Sequence, residues 1–124
     1  MHPVRILKFV FTKEIFMITR IWHGRTSPEN AENYLQFLLN DGTKEYWETK
    51  GILSVKIWAR KEEDCCHFWT VTEWTDIESI KRFAGEDYEK AKYYPEDEGI
   101  LLEFEEKVIH CETYIRAAIA RHQE

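Results

Sequence analysis

Residues 51–74 read GILSVKIWARKEEDCCHFWTVTEW, and this stretch decides the fold. Gly51 opens a strand over Ile52 to Arg60, and Cys65 to Trp74 is a second, both rich in β-branched and aromatic residues. The charged run Lys61-Glu62-Glu63-Asp64 between them supplies a hairpin connection, so two antiparallel strands occupy the middle of the chain.

Upstream, Ile18 to Arg25 alternates as a strand does, beginning at Met17, with Thr19, Ile21 and His23 on one face and Ile18, Arg20 and Trp22 on the other. Thr26-Ser27-Pro28-Glu29 then starts a helix, through a Thr26 to Glu29 capping box or with Ser27 as cap and Pro28 at the first helical position. Ala31, Tyr34, Leu35, Leu38 and Leu39 follow at helical spacing, an apolar stripe that must pack on a flat surface. Gly42 weakens or ends this helix, and Tyr46 and Trp47 suggest a further turn. Downstream of the hairpin, Thr75-Asp76-Ile77-Glu78 predicts a second capping box, with Ile77, Ile80, Phe83 and Ala84 on one side and Gly85 as terminator. A short helical piece over Tyr88 to Tyr93 is expected before Pro95, then a last strand from about Leu102 to Ile115.

The order from Met17 is β-α-β-β-α-β, the α+β ferredoxin-like pattern: a four-stranded antiparallel sheet with two helices on one face. Residues 1–16 read as an N-terminal extension, either a flexible or docking arm or an extra edge strand through Val4 to Phe11. Residues 17–115 form the domain and 116–124 a charged tail. The second face of the sheet stays open. Arg20, Trp22, Trp58 and Trp69 suggest more apolar surface than two helices cover, so a dimer packed sheet on sheet is expected.

A chain of 124 residues, 44% hydrophobic, supports one core rather than two. Its net charge of −6, with basic residues interspersed among acids, argues against a nucleic-acid partner. No apolar run approaches the length of a membrane span, and residues 1–16 lack the apolar run and cleavage site of a secretory signal. Three cysteines, Cys65, Cys66 and Cys111, make neither a disulfide framework nor a CxxC pattern, and predict reduced thiols in a cytoplasmic protein. Adjacent strand residues point to opposite faces, so Cys65 and Cys66 do not act as one ligand pair. There is no HExxH or other recognised metal box, no GxSxG elbow, no phosphate loop and no dinucleotide fingerprint, so neither a metal nor another cofactor is expected.

Histidine is the side chain most readily tuned for proton transfer near neutral pH. His23, near the end of the first strand, and His110, inside the last, lie on neighbouring antiparallel strands and are the candidate bases of one pocket. His67 reads as a solvated strand residue, and His2 and His122 are terminal. Tyr34, Phe83, Tyr88, Tyr93 and Tyr94 are candidate substrate-binding residues, with core packing the alternative for Tyr34 and Phe83, and Tyr93-Tyr94-Pro95 a loop that closes over a flat apolar molecule. Glu103-Phe104-Glu105-Glu106 reads as a solvated strand edge.

Five segments carry a family resemblance: Ile21-Trp22-His23-Gly24-Arg25-Thr26, Glu73-Trp74, Phe83-Ala84-Gly85-Glu86-Asp87, Tyr93-Tyr94-Pro95-Glu96-Asp97 and Val108-Ile109-His110-Cys111-Glu112. Together, over Met17 to Tyr114, the sequence resembles the antibiotic biosynthesis monooxygenase-like family of dimeric α+β barrel proteins. The resemblance implies a homodimer with a cavity in each subunit between sheet and helices. In some relatives it implies oxidation of small phenolic, anthrone or quinone-type molecules by molecular oxygen without flavin, haem or metal. His23 or His110 would then supply the base, and Tyr93 or Tyr94 would orient the phenolate oxygen. A haem-degrading branch needs a tryptophan and a histidine where this chain has Phe83 and Tyr93, which speaks against that chemistry. The alternative is a non-catalytic ligand-binding or stress-associated module that uses the same cavity, or only its sheet face for assembly.

Overall fold

The computed structural model describes residues 4–7, 17–92 and 97–121. Its central hairpin pairs β3 (Ile52–Lys61) with β4 (Cys66–Trp74), and β4 pairs in turn with β2 (Met17–Thr26), all antiparallel. The far side of β2 is taken by two short strands, β5 (Leu101–Phe104) and β6 (Ile109–Thr113), giving the order β3-β4-β2 and then β5 with β6. This is the expected ferredoxin-like sheet with its last strand cut in two. Gly24 faces Phe104 while Ile21 faces Ile109, so three steps along β2 correspond to five along its partner, and the two extra residues bulge outward. The bulge is held from outside: Lys107 bridges to Lys90, and the Ala91 and Val108 amides donate to the Glu106 and Glu89 carbonyls, each at 2.8 Å. The helical piece expected from Tyr88 therefore does not form over 88–92, because that backbone is drawn into the sheet edge; Tyr93 lies outside the described residues.

The first helical region follows its apolar stripe only in part. Pro28–Asn30 is a 3₁₀ turn, α1 is Ala31–Phe37, residues Leu38–Gly42 widen into a π turn, and α2 is Lys44–Glu48. Neither predicted cap forms with its side chain; Ser27 is extended, and its carbonyl accepts the Asn30 amide at 3.2 Å, which satisfies the helix start through backbone alone. Gly42 does not end the region. The break comes at Thr43, whose hydroxyl donates to the Leu38 carbonyl at 2.7 Å. Ala31, Tyr34, Leu38 and Tyr46 turn inward, whereas Leu39 and Trp47 are exposed.

The second helix, α3 (Ile77–Ala84), is capped one residue later than the Thr75 box predicts: the Asp76 carboxylate accepts the Ser79 amide at 2.8 Å and the Ser79 hydroxyl at 2.7 Å. These bonds hold the Asp76 carboxyl below its ordinary range. Gly85 ends α3 at φ 88, as expected.

Alternation along β2 is complete: Ile18, Arg20, Trp22, Gly24 and Thr26 are buried against the helices, while Thr19, Ile21, His23 and Arg25 occupy the other face. Because Trp22 lies opposite Thr70 and His23 opposite Trp69, the expectation that Arg20 and Trp22 share a surface with Trp58 and Trp69 is corrected. Arg20 and Trp22 face the helices, and Trp58 and Trp69 belong to the open face. Two buried clusters fill the helix side. One gathers Trp22, Tyr34, Leu38, Cys66, Phe68 and Val108; the other gathers Ile18, Tyr46, Trp74, Ile80 and Phe83. Apart from this sheet, β1 (Val4–Leu7) and β7 (Ala118–Arg121) pair antiparallel as a ribbon, so part of the segment read as a charged tail is strand.

Candidate functional site

Between sheet and helices, where the resemblance places a cavity, a concavity of about 220 Å³ opens at one end, between Ala31 and Leu35 of α1 and Ala59, Cys66 and Phe68 of the hairpin, while the centre is nearly closed. Trp22, Tyr34, Leu38, Tyr46, Thr70 and Asp97 enclose about 20 Å³, room for one water. The polar groups there are tied to one another: the Tyr34 hydroxyl donates to Asp97 Oδ1 at 2.9 Å, Arg20 Nη1 donates to the Tyr46 hydroxyl at 3.4 Å, and Tyr46 and Thr70 hydroxyls meet at 3.4 Å. The Trp22 Nε1–H is buried with no acceptor among the described residues. Phe83 stacks on Tyr46 at 4.2 Å within the core. Two of the candidate cavity residues, Tyr34 and Phe83, are thus packing residues, while Tyr93 and Tyr94 lie outside the described residues.

His110 sits on this helix side, opposite Arg20, with Tyr88 packed edge-on at 5.2 Å and the His110 Nε2 buried without a partner among the described residues. Burial and the neighbouring Arg20 guanidinium hold its pKa below the usual histidine range, against the opposing pull of Glu89. The unfolded chain therefore binds a proton at a higher pH than the folded one does. Above the ordinary histidine pKa the two states are alike; as pH falls through it, only the unfolded state is charged and stability drops. We expect the urea midpoint to fall less between pH 7.5 and 5 in His110→Gln than in the unsubstituted protein. An equal fall in both would show that His110 gains its proton freely in the fold.

On the open face the arrangement is different. His23 Nδ1 lies 2.8 and 2.9 Å from the Glu105 oxygens, His23 Nε2 lies 2.9 Å from His67 Nδ1, and His67 Nε2 lies 2.9 Å from Glu62 Oε1. Two imidazoles thus link two carboxylates in one chain of contacts. Trp69 flanks both rings, at 5.0 Å from His23 and 5.7 Å from His67, and the imidazoles stack on each other at 5.1 Å. Around them Ile21, Trp69 and Ile109 line a concavity of about 350 Å³ that His23, His67, Glu105 and Lys107 complete. Beyond His67, Cys65 Sγ approaches both His67 Nε2 and Glu62 Oε1 at 3.6 Å. His67 holds the Glu62 carboxyl below its ordinary range. Arg25, paired with Glu103 at 2.9 Å, lies beside Cys65, and the two keep its guanidinium firmly protonated.

His23 and His110 therefore do not share a pocket. His110 faces Arg20, and Arg20 and His23 are three residues apart on one strand, so the two histidines lie on opposite faces of the sheet. His67 is half-buried and bonded rather than solvated, and the run Glu103 to Glu106 supplies two specific partners, Glu103 to Arg25 and Glu105 to His23. On the sequence alone, Glu62, Cys65, His67, Trp69 and Glu105 have no place in a site. Parity places His67 and Trp69 on one face, but only register brings His23 against them.

The chain matches no family model and no curated protein sequence. Among solved structures it resembles a conserved protein of Methanosarcina mazei Go1, at TM-score 0.55 and 15% identity over 81% of this chain and 93% of that one. It also resembles a candidate antibiotic biosynthesis monooxygenase from Bacillus cereus, at TM-score 0.52 and 12% identity over 85% of this chain and 98% of that one. At such identities the likeness shows the fold, and that fold is the one the sequence motifs imply. Among the described residues no helix is long and apolar enough to cross a membrane.

Proposed function

We propose that two copies of this chain join by the open faces of their sheets, and that the concavity around His23 and Trp69 binds a flat phenolic or quinone-type molecule and oxidises it with molecular oxygen. One juxtaposition carries this reading: an apolar wall of Ile21, Trp69 and Ile109 beside a histidine backed by a second histidine and a carboxylate. An aromatic substrate stacked on Trp69 brings its hydroxyl to His23 Nδ1 as the exposed Glu105 gives way. In the form that accepts a proton, His67 Nε2–H donates to Glu62 and His23 Nε2–H donates to His67 Nδ1, which leaves the His23 Nδ1 lone pair for the hydroxyl proton. The resulting electron-rich anion reduces oxygen. In an anthrone, one oxygen atom enters the ring CH₂ as a carbonyl and the other leaves as water with the two CH₂ hydrogens, the substrate supplying all the electrons. A hydroquinone instead gives two electrons and two protons to oxygen, leaving quinone and hydrogen peroxide. A second copy over the open face excludes water from this step. Three free cysteines suit the reducing cytoplasm we assign to the protein.

A second reading, a dimer that binds such a molecule without converting it, is favoured by the concavity of about 220 Å³ between α1 and the sheet, which Ala31, Leu35, Ala59 and Phe68 line and no histidine enters. Oxygen uptake by the full chain over a panel of anthrones and hydroquinones separates the two. The enzyme reading expects oxygen uptake equal to the anthrone or hydroquinone consumed, a loss of at least about 100-fold in His23→Ala, and unchanged turnover in His110→Ala, on the far face. Quenching of tryptophan fluorescence without oxygen uptake leaves the second reading standing, and neither signal with any panel member defeats both. Light scattering at micromolar concentration is expected to give twice the 15.0 kDa chain mass, and a monomer overturns the face-to-face dimer.

A further inference from the structure

We infer that Glu62, Cys65 and His67, at the turn of the β3–β4 hairpin, form a binding site for a zinc-like divalent ion, with His23 and Glu105 holding His67 in place; this goes beyond the aromatic-binding reading and does not depend on it. Among the described residues, these three are the one grouping whose histidine, cysteine and carboxylate donor atoms converge, all within 4.8 Å of one another. Their separations are close to those a metal requires. Zinc bonds of about 2.3 Å to sulfur and about 2.0 to 2.1 Å to nitrogen and oxygen give tetrahedral edges of roughly 3.5 Å from sulfur to either and about 3.3 Å from nitrogen to oxygen. The sulfur edges here are both 3.6 Å, and the nitrogen-to-oxygen edge of 2.9 Å has only to open slightly. A mixed set of thiolate, imidazole and carboxylate suits zinc or cobalt rather than magnesium or calcium, which take oxygen.

The hydrogen bonds along the chain of contacts are compatible with a metal on His67. Glu105 to His23, His23 to His67 and His67 to Glu62 are three contacts, each needing one hydrogen, and two neutral imidazoles carry two. With a metal on His67 Nε2 the count closes without a third proton: His67 Nδ1–H donates to His23 Nε2, and His23 Nδ1–H donates to Glu105. This is the arrangement in which a ligating histidine is oriented by a hydrogen-bond acceptor on its other nitrogen. A third proton also satisfies the chain, but it gives the approach of Cys65 Sγ to the same two atoms no more than one weak S–H donor. Metal binding displaces the Cys65 thiol proton to solvent as the sulfur–metal bond forms. Three protein ligands leave a fourth position for water, and Glu62 and Cys65 border a concavity of about 220 Å³ walled by Pro28, Ala31, Leu35 and Phe68.

Metal and proton acceptance are alternative states of the same pair of rings. The metal-bound form puts the hydrogen on His23 Nδ1, the atom that must be bare to take a substrate proton, so a loaded protein turns over no phenol by that route.

Cobalt titration of the metal-stripped full chain, kept reduced with a phosphine, tests the site without any turnover. One equivalent of Co²⁺ per chain is expected to develop the thiolate-to-cobalt band in the near ultraviolet and the visible bands of a four-coordinate ion. Cys65→Ser should abolish the thiolate band, while Cys66→Ser and Cys111→Ser keep it. Glu62 is exposed enough that Glu62→Gln should leave the circular dichroism intact; it is expected to weaken binding by at least about tenfold, and His23→Gln by about 10- to 100-fold. Absence of the band in the unsubstituted chain, its survival in Cys65→Ser, or unchanged affinity in a folded Glu62→Gln would each overturn the assignment.

Discussion

Trp74→Ala is expected to destabilise the protein by about 4 kcal/mol, in the range for truncating a fully buried tryptophan. Trp74 is 0% exposed, at the end of β4, between Ile18 on β2 and Ile52 on β3. Its ring lies 5.8 Å from Phe83 and 6.2 Å from Tyr46, joining α3 and α2 to the sheet. Its Nε1–H donates to the Thr72 hydroxyl at 2.8 Å, so removing the ring also costs that hydroxyl a buried donor. Against a total of about 5 to 15 kcal/mol for a domain this size, the loss brings the protein close to unfolding at 37 °C. Urea denaturation monitored by circular dichroism measures it. A loss below about 1 kcal/mol, the typical value for an arbitrary substitution, would mean that Trp74 is not a centre of the core.

Gly51→Ala is expected to cost about 2 to 5 kcal/mol, by a different route. Gly51 has φ 101, and a methyl group there would stand 1.9 Å from Ser79 Oγ and 2.4 Å from Ser79 Cβ. The conformation alone costs an L-residue about 1 to 2 kcal/mol. Overpacking adds about 1 to 3 kcal/mol, because Ser79 cannot simply swing away: its hydroxyl donates to Asp76, the cap of α3, and meets the Thr75 hydroxyl at 3.1 Å. Gly85→Ala is the control. Gly85 has φ 88 but no atom within 4 Å of the added carbon, so only the conformational part, about 1 to 2 kcal/mol, should appear. Equal losses at the two glycines would show that the contact with Ser79 carries no energy.

The hairpin and both helical regions were legible because their signals are local. Alternation in Ile18 to Arg25 assigns each side chain to a face correctly, and Gly85 stops α3 where it should. The cap falls one residue beyond the Thr75 box, at Asp76, since Thr75 and Asp76 both satisfy the local pattern and the Thr75 amide is bonded to the Gly51 carbonyl at 3.0 Å, a contact remote in sequence. The break in the last strand was not legible: Leu102 to Ile115 carries no glycine or proline, and the bulge forms because residues 89–91 draw 106–108 out of line. The site was lost for the same kind of reason. Whether His23 meets His110 or His67 depends on register between strands far apart in sequence, which neither composition nor periodicity contains. Glu62-x-x-Cys65-x-His67 was present as a local spacing, but in the guise of a polar hairpin connection. Cys65 shares its local pattern with Cys66, which points to the opposite face.

The outward bulge between β5 and β6 has a consequence for aggregation. A sheet grows into fibrils by adding strands at an edge that offers a long straight row of amides and carbonyls. On this side β5 is four residues long and β6 five, and residues 89–91 already occupy the interruption between them. At the opposite edge, β3 shifts register between Ile52 and Ser54 and carries exposed Lys56, Arg60 and Lys61, whose charged side chains blunt it against a further strand. Both rims are thereby closed to further strands. Chains that stick together through this sheet can do so only by stacking, which ends at a finite particle instead of propagating as a fibre.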